Sequence, residues 1–117
     1  MKKILWTIVC ILLVAATLTG CGNKAFPTGT FTHADRVVEY RDDGTFTYLI
    51  GDEVVTEGTY AVQDDEIQFT DSYCAERDAN PGTYKWQYED DKLTLELIED
   101  PCEGRREPNT LTWFGPK

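Results

Sequence analysis

Histidine and serine are almost missing from this chain: His33 and Ser72 are the only ones among 117 residues. Neither stands in a nucleophile setting such as Gly-x-Ser-x-Gly, so a Ser-His hydrolase has little to work with. A lone histidine leaves a tetrahedral zinc site short of ligands. Basic residues are also scarce. Lys and Arg number 11 against 21 Asp and Glu, a net charge of −10, which argues against a nucleic-acid partner. The acids are not gathered into an Asp-x-Asp-x-Asp-Gly calcium loop. Asp42-Asp43, Asp64-Asp65 and Asp90-Asp91 read instead as solvated turns. After Pro27 no stretch repeats its apolar residues at helical spacing for long enough to make a secure helix. Neither catalysis, nor a metal, nor a cofactor is expected.

The start of the chain is rich in what the rest lacks. Lys2 and Lys3 precede an almost unbroken apolar run from Ile4 to Leu18, shorter than the roughly twenty residues a spanning helix needs. Leu18-Thr19-Gly20-Cys21 resembles the lipobox of bacterial lipoproteins, in which cleavage leaves an acylated cysteine at the new N-terminus. The expected organisation is a signal peptide over residues 1–20, a lipidated tether over 21–27 and a β domain over 28–117. Each buried methylene of an acyl chain such as palmitate contributes about 0.8 kcal/mol, so two or more chains on Cys21 hold durably. Loss of Lys2 and Lys3 leaves 9 basic residues against 21 acidic, a net charge of −12. A surface of that sign is repelled by anionic lipid, so the acyl chains must do the anchoring. The expected location is a cell membrane or outer membrane, facing the periplasm or the cell exterior.

From Pro27 onward the apolar residues alternate with polar ones, the period of a half-buried strand. Strands are expected at 29–33, 37–41, 45–50, 54–62, 66–70, 83–88, 92–98 and 110–114. Most are joined by tight, acid-rich turns that favour antiparallel neighbours. The fold class is all-β: an antiparallel up-and-down meander of about eight short strands. Closing it into a barrel removes both exposed edges, whereas a strongly curled sheet would keep them.

Cysteine usage supplies a test of this topology. Cys10 leaves with the signal and Cys21 carries lipid, so Cys74 and Cys102 remain. Outside the cytoplasm they are expected to pair; two free thiols or half of a metal site are the alternatives. They sit in the two long connections, 71–81 and 99–108, which follow strands five and seven. In a meander both connections lie at one rim, the rim that also holds His33 and Ser72. The tether enters at the opposite rim.

Pro81-Gly82-Thr83-Tyr84-Lys85-Trp86, then Leu93-Thr94-Leu95, then Asp100-Pro101-Cys102-Glu103-Gly104-Arg105 resemble the C-terminal half of small bacterial lipocalin-like proteins of the calycin group. The likeness spans residues 28–114 loosely and 81–106 more closely. The first strand offers Gly29-Thr30-Phe31 where lipocalins have Gly-x-Trp. The resemblance implies an antiparallel meander barrel that binds small hydrophobic molecules. On the apolar stripes, Phe46, Tyr48, Tyr84, Trp86, Tyr88 and Trp113 are the ligand-binding candidates; the competing reading is that these rings simply fill the core. The function expected first is a membrane-anchored, lipocalin-like binding lipoprotein for a small apolar molecule. The alternative is a protein-interaction or inhibitor module acting through loops 71–81 and 99–108, whose mixed charge includes Glu76, Arg77, Arg105 and Arg106.

Overall fold

The computed structural model describes residues 25–117, so the expected signal peptide, the lipobox and Cys21 lie outside the described residues. Eight antiparallel strands close into a barrel in chain order. They are β1 (Gly29–His33), β2 (Arg36–Tyr40), β3 (Thr45–Ile50), β4 (Glu53–Gln63), β5 (Glu66–Asp71), β6 (Gly82–Glu89), β7 (Lys92–Glu99) and β8 (Trp113–Phe114). This is the expected meander in its closed form. Two of its tight turns place a short polar side chain in the left-handed region: Asp64 in one, and Asp90 and Asp91 in the other, have positive φ. Aspartate tolerates that conformation better than most residues and matches the twist of a two-residue hairpin.

Alternation gives each strand an inward face, and those faces make one core of Phe31, Val38, Tyr40, Phe46, Tyr48, Ile67, Phe69, Tyr84, Trp86, Leu93 and Trp113. Ile50 and Leu97 continue the same stripes in sequence yet are 41% and 49% exposed: Ile50 is the last residue of β3, and Leu97 lies past the part of β7 that the short β8 pairs with, Lys92 and Leu93. Gly58 explains how the longest strand, β4, follows the curve. A Cβ at this position would lie 2.0 Å from the carbonyl oxygen of Thr70 on the adjoining β5, so only glycine lets the two backbones come so close.

The two long connections depart from the loops expected of them, because each contains a short helix: α1 (Ser72–Ala75) and α2 (Glu103–Asn109). Helices of this length show no readable period and are not stable alone. The Asp71 side chain caps α1, accepting the Cys74 N–H at 2.8 Å. Tertiary burial of Arg105, Pro108 and Asn109 holds α2 in place. Because α2 runs to Asn109 and is capped by Thr110, the last strand begins at Trp113 rather than Thr110. The barrel therefore closes through a two-residue strand, with Phe114 opposite Thr32 of β1 and Lys92 of β7.

Cys74 and Cys102 form a disulfide with Cα atoms 5.8 Å apart, tying α1 to the start of α2 at the rim where strand parity places them. We call this the distal rim. The chain enters β1 at the proximal rim. Here Phe26 differs from the tether assigned to residues 21–27, because its ring packs into the barrel end.

Candidate ligand cavity

The proximal end is closed by rings. Phe26 packs at 5.0 Å from Tyr40, 5.5 Å from Tyr60 and 5.3 Å from Trp86, near-perpendicular to Tyr40 and Trp86, the geometry favoured by aromatic quadrupoles. The polar atoms of this end are tied to turn and terminal backbone. Trp86 donates its indole N–H to the Asp64 carbonyl at 3.0 Å, and Tyr60 donates to the carbonyl of Arg41. Tyr88 donates to the Gly115 carbonyl at 2.8 Å.

The distal end is open. A cavity of about 320 Å³ lies between the core rings and the stapled loops. Tyr40, Phe46 and Phe69 line it as a mutually packed set, with Phe46 and Phe69 5.5 Å apart and near-perpendicular. Val38, Tyr48 and Trp113 line the wall, and the Trp113 indole N–H is spent on the Pro108 carbonyl at 3.2 Å. Ile50, Val55 and Tyr73 continue the apolar surface outward. Gly104, Pro108 and Asn109 of α2 also line the cavity. Gly104 has a packing reason: a Cβ there would lie 2.5 Å from the Tyr73 ring, so the absent side chain lets Tyr73 rest on the helix.

The sequence-derived candidates divide between the two ends. Phe46, Tyr48 and Trp113 line the cavity. Tyr84, Trp86 and Tyr88 do not: Trp86 and Tyr88 belong to the proximal closure, and Tyr84 is buried with its hydroxyl donated to Asp100. Burial, reinforced by that carboxylate, pushes the Tyr84 phenol well above its ordinary pKa. Tyr40, Phe69, Tyr73, Arg36 and Glu107 were not singled out from the sequence but line the cavity. For Arg36 a signal existed, since positions 36, 38 and 40 of one strand share a face.

Charge is distributed unevenly over the lining. Arg105, which the loop sequence offered to a protein partner, is buried and fully committed. Its Nε and Nη2 donate to the two oxygens of Asp100 at 2.8 and 2.7 Å. Its Nη1 donates to Asp71 at 3.0 Å and to Asn80 at 2.8 Å, and Nη2 also reaches the Ala79 carbonyl at 3.0 Å. Five N–H groups meet five acceptors, the full capacity of a guanidinium. Burial raises the Asp100 carboxyl, but Arg105, Tyr84 and the Cys102 N–H outweigh it and hold the group below its ordinary value. Arg77 stacks on the Tyr73 ring at 3.6 Å.

Arg36 is different. It donates to both oxygens of Glu107 at 2.5 and 2.9 Å, and Nη1 also reaches the Tyr48 hydroxyl at 3.3 Å. The Glu107 hydrogen bonds raise the Arg36 pKa, and Arg36 in turn holds Glu107 below the usual carboxylate value. Compared with protein-family models, with curated proteins and with solved structures, the chain has no match. The lining is mainly aromatic and aliphatic, with polar groups confined to a few points. Concave apolar sites of about 300–1,000 Å³ are the usual receptors for small molecules, and this one falls at the small end. Among the described residues, no group of three or more His, Cys, Asp or Glu is placed to hold a metal ion.

Proposed function

We propose that the protein is a lipid-anchored binding lipoprotein of lipocalin-like build, attached through Cys21 and taking a small apolar molecule into the distal cavity. The observation that carries the reading is the cavity of about 320 Å³, lined mainly by aromatic and aliphatic side chains and open at the rim opposite the tether. The anchoring part rests on the Leu18-Thr19-Gly20-Cys21 motif. Labelled palmitate fed to expressing cells should appear in the full chain and not in a Cys21→Ser variant; label in both would remove the anchor from the proposal.

Binding is tested with N-phenyl-1-naphthylamine, whose fluorescence rises in an apolar site. Saturable enhancement is expected with the native chain. Val55→Trp, at a partly exposed position of the cavity lining, should abolish it while leaving the melting temperature within a few degrees. Binding that survives Val55→Trp would place the probe elsewhere.

A second reading, a protein-interaction or inhibitor module, is favoured by the exposure of Ile50, Val54, Val55 and Tyr73 on the distal elements. Val54 does not line the cavity, so Val54→Lys separates the two. It should weaken a protein contact and leave small-molecule binding intact.

A further inference from the structure

We infer that the ligand carries a single anionic head, which Arg36 takes in exchange for Glu107. The inference rests on the cavity-binding reading and adds a ligand class to it. Four charged side chains line the cavity: Arg36, Asp71, Arg105 and Glu107. Arg105 has no free N–H to offer. Asp71 is equally occupied, accepting from Thr56 and Cys74 on one oxygen and from Arg105 on the other. Turning either toward a ligand would break buried charge-assisted bonds. The pair able to change partners is Arg36 and Glu107.

The two members of that pair are not equivalent. Arg36 rises from the same strand face as Val38 and Tyr40, has a side chain only 26% exposed, and is held additionally by Tyr48. The Glu107 side chain is 60% exposed near the end of a short helix. A carboxylate that leaves Arg36 returns to water at little cost, because the Glu107 side chain is already largely solvated. An arginine leaving Glu107 would give up Tyr48 as well and remain partly buried. The exchange therefore favours an incoming anion, which would meet the same planar fork that now grips Glu107. The Tyr48 hydroxyl accepts from Arg36 and keeps its own proton to donate to that anion. A carboxylic or sulfonic acid on a compact aromatic or short alkyl body fits both the head site and the ring-lined interior.

Calorimetry on the full chain in phospholipid nanodiscs, with empty nanodiscs as the blank, can compare 2-naphthoate with 2-naphthamide. These probes share size and shape and differ in charge. Naphthoate should bind at least about tenfold more tightly in the native protein. The ratio should collapse toward one in Arg36→Met and rise several-fold in Glu107→Gln, where the competing carboxylate is gone. Equal affinities in the native protein, or a preference that survives Arg36→Met, would overturn the anion inference and leave the cavity reading standing. Binding of neither probe would remove the cavity reading itself.

Discussion

Arg105 shows how a charged residue in a loop becomes a structural one. Its five donors satisfy acceptors from Asp71, Asp100, Ala79 and Asn80, which belong to three separate stretches of chain. Removing it would leave two carboxylates buried without their cation. Arg105→Met should therefore lose about 3–5 kcal/mol of unfolding free energy in a denaturant titration; a loss under about 1 kcal/mol would mean that the network contributes little. Asp100 sets the accompanying pH dependence. Its folded pKa lies below the unfolded value of about 3.9, so its contribution is full above that pH and disappears as pH falls through the folded value. Denaturant midpoints followed from about pH 6 down to pH 2 should decline on the acid side, and decline less steeply in Arg105→Met. None of this was legible in the loop sequence. Nothing in Asp100-Pro101-Cys102-Glu103-Gly104-Arg105 distinguishes an inward arginine from a solvated one, because the partners come from distant segments.

At the scale of elements, the strands were legible because alternation is a local signal and each strand buries one face. The tight turns were legible for a similar reason, each carrying its own aspartate or glycine. The cavity was legible only in part. Phe46, Tyr48 and Trp113 lie on readable stripes, but which ring of a stripe faces an empty volume and which plugs an end depends on where the strand stands along the barrel axis. The helices were hidden by their brevity. They matter because α2 forms one side of the cavity and is covalently tied to α1. Replacing Cys74 and Cys102 with serine should cost on the order of 3 kcal/mol, the loop-closure value for a crosslink spanning 28 residues. Faster amide exchange in α2 than in the strands of the same variant would show that the staple holds this wall in position. Unchanged protection of α2 would assign that role to the buried contacts of Arg105, Pro108 and Asn109.

For the whole molecule, sign of charge and direction of approach become the deciding quantities. The net charge of −10 repels an anion at long range, although Arg36 attracts it at contact. Salt screens the first effect over a Debye length of about 10 Å at 0.1 M and touches the partly sheltered contact less. Raising ionic strength from about 0.01 to 0.1 M should therefore increase the association rate of naphthoate in stopped-flow measurements and leave that of naphthamide unchanged. A rate that falls with salt would mean that local attraction governs the encounter.

The ring of Phe26 gives the barrel a sealed floor on the side from which the chain arrives. A vessel with one door cannot conduct: loading and unloading would have to share the same passage. Traffic through such a protein would be an exchange with the water it faces, with residence time set by how readily the Arg36 side of the doorway lets go.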